Sequence, residues 1–529
     1  MSDPPVAVRP TTVEDHGVGT QITAGLEDQA STSKQGLPPI NRRIFIVSAC
    51  ALVVLVAVSG RYGYHRDELY FLAAGHHLAW GYPDQPPLVP LLARLLSALD
   101  PGSVVVLRLP SAVAAAGTVM LTGFLTRELG GRGPAQLLAA GAMATSTLLY
   151  GADHYLNTAA FDLLAWTLLL WLVVRILRTR HQRLWLIVGV VAGVALFNSD
   201  LVAFLMAAIV VGIAIAGPRR VLASPWLWVG GAVAALLWAP YLVWQAKHGW
   251  PQLTVSRSIA AGRSGTSQPR IQLLPFQLVL ISLYLAPVWI VGLVQLFRRS
   301  ALRWCRAIAW AYPLLAVVFM VTGGKSYYLA GMLPVFLAAG AQPTIDWVGR
   351  GRASRRRAAV GIAFVLTAVG TASFTLPVLP VSALHRTPIV SLNYDEGETV
   401  GWPTYVSEIA GVYDQLPVPE RSATAVLASN YGEAGAVERY GPASGLPAVA
   451  YSGQDGFWYW GPPPASTRAY IVVGFTRTTL IRHFDVCRPG IRLDNRVHLK
   501  NDEQGVPVRL CTGLRGSWTT VWPQFQVLG

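Results

Sequence analysis

The sequence predicts a polytopic α-helical membrane protein with a C-terminal, extracytoplasmic α/β domain. Three observations lead there. Of 529 residues, 53% are hydrophobic and 13% charged, whereas soluble domains carry about 25% charged residues. Several apolar runs reach the roughly 20 residues that cross a bilayer as a helix. The arginines cluster in short connections between those runs, so the formal charge of +15 reads as membrane topology and not as affinity for nucleic acid.

Taken in order, Met1–Asn41 is long, polar and rich in Pro, Ser, Thr and Gly. It reads as a disordered cytosolic tail without a cleavable signal peptide. Apolar spans are expected at about 43–60, 104–126, 134–152, 157–177, 184–199, 201–216, 226–245, 275–297, 306–322, 327–345 and 358–379, about eleven in all. Alternate connections hold Arg42-Arg43, Arg127 with Arg132, Arg175 to Arg183, Arg219-Arg220, Arg298 to Arg306, and Arg350 to Arg357. All fall on one side, which the positive-inside bias makes cytoplasmic in the cell membrane. The membrane domain then covers 42–380, and its first external loop covers 61–103. The outer face also receives Asp153-His154, Asn198–Asp200, Lys247–Arg270, Gly323–Ser326 and everything after Pro380.

From Val381 to Gly529 apolar runs shorten and Gly and Pro punctuate the chain. Ala425–Ala428 and Tyr470–Gly474 read as strands, and Thr404–Leu416 as an amphipathic helix. Cys487 and Cys511 both fall in this oxidising compartment, so a disulfide between them is expected. Packing suffices to explain Cys50 and Cys305.

The chemistry concentrates in Arg61–Arg94, where His65, Arg66 and the paired carboxylates Asp67 and Glu68 are followed by aromatics and the turn Asp84-Gln85-Pro86-Pro87. An interfacial amphipathic hairpin without chemistry is the plainer reading. Against it, the membrane core is nearly free of charge, while Asp67, Glu68, Asp84, Asp153, His154, Asp200 and Lys325 gather at the outer ends of the spans. That points to a site at the membrane–water boundary working on a lipid-borne substrate. Helix neighbours point about 100° apart, so Asp67 or Glu68 can face a reaction centre while the other braces the loop. A carboxylate placed there serves as general base for an attacking hydroxyl. For Asp153 and His154, a polar helix cap is an equal alternative.

Arg257, Arg263 and Arg270 break the positive-inside pattern. A phosphate ligand explains them, since guanidinium binds phosphate bidentately, and so does an ordinary solvated loop. Lys325, beside Tyr327 and Tyr328, reads either as a ligand of a lipid-linked phosphate or as a lysine snorkelling to water next to belt tyrosines. No metal-ligand spacing and no nucleotide fingerprint occurs. The expectation is therefore no cofactor, with a divalent cation left open.

Several stretches together resemble a known family: YGYHRDELYFLAAGHHLAWGYPDQPPL at 62–88, DHYLNTAAFDLLAW at 153–166, WQAKHGWPQL at 244–253, GGKSYYLAGMLPVFLAAGA at 323–341, ASNYGEAGAVERYG at 428–441 and FWYWGPP at 457–463. They are similar to bacterial members of glycosyltransferase family 39, the protein O-mannosyltransferase and aminoarabinose-transferase group with the GT-C membrane fold. The resemblance implies a transferase that takes a sugar from a polyprenyl-phosphate carrier at the outer membrane face, inverts the anomeric centre and delivers it to a glycan, lipid or protein. It makes Asp67 the catalytic base and Asp153 a second acidic position near the site. Lys325 and the loop arginines match the region that handles the carrier phosphate. One departure is Asn198-Ser199-Asp200, where relatives often carry a lysine after the fifth span. A transporter or flippase of lipid-linked substrates is the alternative class; it calls for mid-membrane polar groups and internal repeats. A membrane-anchored binding protein would have no need of Asp67-Glu68 in a structured loop.

Overall fold

The apolar stretches form helices of unequal length. The computed structural model describes residues 36–265 and 267–529, so most of the expected tail 1–41 lies outside the described residues. Residues 39–529 pack as one unit. Six described helices are long and apolar enough to cross a membrane: Val104–Glu128, Thr158–Thr179, Pro225–Lys247, Ser300–Thr322, Ser326–Val348 and Ala353–Thr375. The protein is a multi-pass membrane protein. A further span forms only if Arg270–Ile281 and Ala286–Arg298 count as one, and these meet at 113°.

That bend replaces the straight span expected at 275–297, and its cause is local. Ser282 sits at φ 111°, and Pro287 lies in the first turn of the next helix, where its missing N–H is harmless. The stretch 134–152 is likewise divided. One helix ends at Ala144 and Thr147–Asp153 begins behind Ser146, whose Oγ accepts the Leu149 N–H at 3.2 Å. Arg43–Ser59, Leu184–Leu196 and Leu201–Ala216 are shorter apolar helices. Among the described residues the expected spans thus form as six long helices, one bent pair and these shorter helices.

The first loop folds onto the bundle as two short helices, Arg66–His76 (the loop helix) and Leu88–Leu99. Further on lies a five-stranded sheet of β1 (Thr424–Ala428), β2 (Ala450–Ser452), β3 (Ala469–Val473), β4 (Phe484–Arg492) and β5 (Pro507–Leu514). Its order is β2-β1-β3-β5-β4, with β1 parallel to both neighbours and β5 antiparallel to β3 and β4. β1 and β3 are buried throughout, as central parallel strands covered on both faces are. Cys487 and Cys511 face each other across β4 and β5 and are bonded. The expected amphipathic helix forms at Trp402–Asp414.

Behind β1 comes Tyr431–Tyr440, the cap helix. Asn430 Oδ1 accepts the Glu433 N–H at 2.8 Å, and Glu433 returns a carboxylate oxygen to the Asn430 N–H at 3.3 Å, a reciprocal capping box. The cap helix lies against the loop helix so closely that a Cβ on Gly435 would stand 2.9 Å from the backbone of Leu69. Leu69, Tyr70 and Phe71 share one hydrophobic core with Trp402, Val426, Val437 and Ile471. That core runs across the division expected at residue 380 and sets the sheet-bearing part over the first loop.

Candidate active site at the first loop

The site grows from the start of the loop helix. His65 is its N-cap: Nδ1 accepts the Asp67 N–H at 3.2 Å, and the His65 N–H donates to Glu68 Oε2 at 2.8 Å. This cap fixes the two carboxylates in opposite directions. Glu68 points inward and is fully buried. Arg108 meets it with two hydrogen bonds, Nε to Oε1 at 2.9 Å and Nη2 to Oε2 at 2.7 Å; the Leu156 N–H adds another at 2.9 Å, which with the His65 N–H makes four in all. Arg108 also donates to the carbonyls of Ser59 and Gly63 at 2.8 and 2.7 Å, so one ion pair ties the loop to two bundle helices. Arg108 holds the Glu68 carboxyl below its usual range despite burial.

Asp67 points outward, with its side chain 34% exposed. Its Oδ1 accepts the Tyr431 hydroxyl at 2.8 Å, and Oδ2 stands 3.8 Å from His65 Nδ1. Beside it, Tyr70 donates to Asp84 Oδ1 at 2.7 Å and accepts the Gly456 N–H at 3.2 Å. Burial raises the Asp84 carboxyl to about 6; the Tyr70 bond and the charge of Lys325 pull it down, and Asp67 pushes it up. Asp455 is buried next to them and held well above the usual carboxylate range, by burial and then by Asp84. Asp67, Asp84 and Asp455 thus share one field.

The other expected residues distribute around this centre. Arg66 bonds Tyr394, Glu398 (3.4 Å) and Asp502 (3.2 Å), with its guanidinium 5.0 Å from the Tyr431 ring centroid. The His65 ring stacks on Tyr155 at 4.3 Å, and its Nε2 lies 3.7 Å from Asp395 Oδ1. Gln85 is buried, its carbonyl accepting the Tyr82 N–H at 2.9 Å. Asp153 is buried without a hydrogen-bond partner for either oxygen, and burial holds it well above the usual carboxylate range. It lines a small cleft with Ser59, Arg108 and His154. Burial pushes His154 down to about 4, which keeps it neutral.

Lys325 Nζ lies 5.9 Å from the Tyr327 ring centroid, and Tyr327 and Tyr328 meet edge to face at 5.3 Å. Arg257, Arg263 and Arg270 are exposed. Their segment is fastened to the lysine turn: Arg270 donates to the Val321 carbonyl at 3.2 Å and the Ser326 N–H to Gln268 Oε1 at 3.0 Å. Among the described residues no three His, Cys, Asp or Glu side chains are placed to hold a metal ion.

Residues 84–244 match the family model described as dolichyl-phosphate-mannose-protein mannosyltransferase. Two solved structures of ArnT from Cupriavidus metallidurans share the fold. The apo form superposes with TM-score 0.55 and the form bound to undecaprenyl phosphate with 0.56, each at 14% identity over 88% of this chain and 97% of that one. The chain therefore shares the fold of ArnT, and about a third of it matches that family model. No curated protein matches the sequence.

Within the matched stretch lie Asp84, Gln85, Arg108, Asp153 and His154, while Asp67 and Glu68 fall before it. Four residues of the site were not singled out from sequence: Arg108, Tyr70, Tyr431 and Asp455. Arg108 had a signal, a single charge in an otherwise apolar run, which marks a buried partner by default. Asn430 and Glu433 carry the spacing of a capping box and so announce the cap helix. That Tyr431 would reach a carboxylate 364 residues away has no local trace.

Proposed function

We propose that this protein is a glycosyltransferase that moves a sugar from a polyprenyl-phosphate carrier to a hydroxyl-bearing acceptor (glycan, lipid or protein) at the membrane face where Asp67 lies. The acceptor oxygen attacks the anomeric carbon, the bond from that carbon to the phosphate oxygen breaks, and the configuration inverts. The acceptor proton passes to Asp67 Oδ2, and the polyprenyl phosphate leaves without protonation. A phosphate leaving group needs no general acid.

The observation that carries this reading is the asymmetry of Asp67: one oxygen is occupied by Tyr431 and the other is open in a partly exposed position. Lys325 supports it, acting electrostatically on Asp84 next to Asp67, where a carrier phosphate would be neutralised. The arginine pattern supports a cytoplasmic N-terminus and an external sheet-bearing part. The test supplies the purified protein in lipid nanodiscs with a panel of radiolabelled polyprenyl-phosphate sugars and a cell-envelope extract as acceptor. Label moving into acceptor in the wild type and lost in Asp67→Asn supports the reading. Label that stays on the carrier with every donor overturns it.

A further inference from the structure

The cap helix reaches the site at one atom. Tyr431 is its first residue, and its position is fixed from three directions. Its N–H donates to Gln454 Oε1 at 3.1 Å, the guanidinium of Arg66 lies over its ring, and the Tyr70 ring packs at 5.0 Å. The Asn430–Glu433 capping box anchors the turn beneath it, and Glu433 Oε2 also accepts the Ser429 N–H at 2.9 Å and hydroxyl at 3.0 Å. Gly435 on Leu69 holds the helix-to-helix distance. A hydroxyl mounted this rigidly and aimed at Asp67 Oδ1 does more than fill space.

We infer that Tyr431 is a positioning residue for Asp67: by donating to Oδ1 it fixes the carboxylate rotamer and leaves Oδ2 as the sole proton acceptor. The inference rests on the proposed function, because it assigns Asp67 the role of base. The groups that face Asp67 besides Tyr431 are the carboxylates Asp84 and Asp455, the imidazole of His65 and the Arg66 guanidinium. The sheet-bearing part thereby completes the site that the first loop begins.

The test replaces Tyr431 with Phe in the full-length protein and reads Asp67 in a way that does not need turnover. A water-soluble carbodiimide modifies protonated carboxyls; its reaction at Asp67, localised by peptide fragmentation, is followed against pH. In Tyr431→Phe the midpoint is expected to rise by about one unit, since one charge-assisted hydrogen bond is lost. Turnover is expected to fall roughly tenfold with the donor KM unchanged, and the acid limb of the pH–rate profile to move up by the same step. A purely structural tyrosine would leave the midpoint in place. Should Tyr431→Phe not fold, 3,5-difluorotyrosine at 431, a stronger donor of nearly the same shape, is expected to shift the midpoint downward. An unmoved midpoint in the folded variant overturns the inference. Failure of the functional reading is a different result: no sugar transfer by the wild type, or full transfer by Asp67→Asn.

Discussion

Asp67 and Glu68 are sequence neighbours in opposite environments, and the cap at His65 creates the difference. Glu68 is a brace. Glu68→Gln keeps the shape but leaves the Arg108 guanidinium buried without its counter-charge, a change that costs about 3–5 kcal/mol when a buried pair is broken. Denaturant titration in detergent micelles should register that loss; a change under about 1 kcal/mol, the range of exposed pairs, would contradict the bracing role. Asp84 makes a claim about pH. Its folded carboxyl titrates near 6 against an ordinary 3.8, so the folded state binds the extra proton and stability falls as pH rises between those values. Asp84→Asn removes this penalty. The melting temperature of the variant minus that of the wild type should therefore increase from pH 4 to pH 7, and a flat or decreasing difference would show that Asp84 is not strained.

At the scale of elements, the contact between loop helix and cap helix decides whether the site is assembled. Its weak point is Gly435, where any side chain meets the Leu69 backbone. Gly435→Val should cost about 1–3 kcal/mol by overpacking and lower turnover further than that loss of stability explains, because Tyr431 moves with its helix. A variant that melts early yet transfers sugar at the wild-type rate when folded would uncouple the helix from the site. Sequence reading was uneven at this scale. β1 and β3 were legible as short apolar strands between turn residues, and the helix at Trp402–Asp414 as an amphipathic period. The breaks at Ser146 and Ser282 were not, since hydropathy windows average over caps and single backbone angles and see continuous apolar runs.

For the whole molecule, the class was written in composition: too few charges, long apolar runs and arginines in alternate connections. Topology follows from the same signal and can be checked on its own. A reporter active only in the cytoplasm, fused after Gly529, should be silent if the sheet-bearing part is external, and a positive signal would reverse the orientation. The position of Asp67, in a polar stretch beside a membrane segment, was legible too. What surrounds it was not. Asp67, Asp84, Tyr431 and Asp455 converge from three distant parts of the chain, and convergence of that kind is a property of the fold alone.

The central claim is that Asp67 accepts the proton of the attacking hydroxyl, and Asp67→Asn tests it most directly because the amide is nearly isosteric with the carboxylate. The measurement compares single-turnover sugar transfer in this variant and in the wild type, at equal occupancy by the polyprenyl-phosphate donor, in the same nanodiscs. A general base contributes roughly 10²–10⁴-fold, so transfer should slow by that factor while donor binding and folding stay as they were. Transfer within about threefold of the wild type would contradict the claim, since it falls well short of what a general base typically contributes.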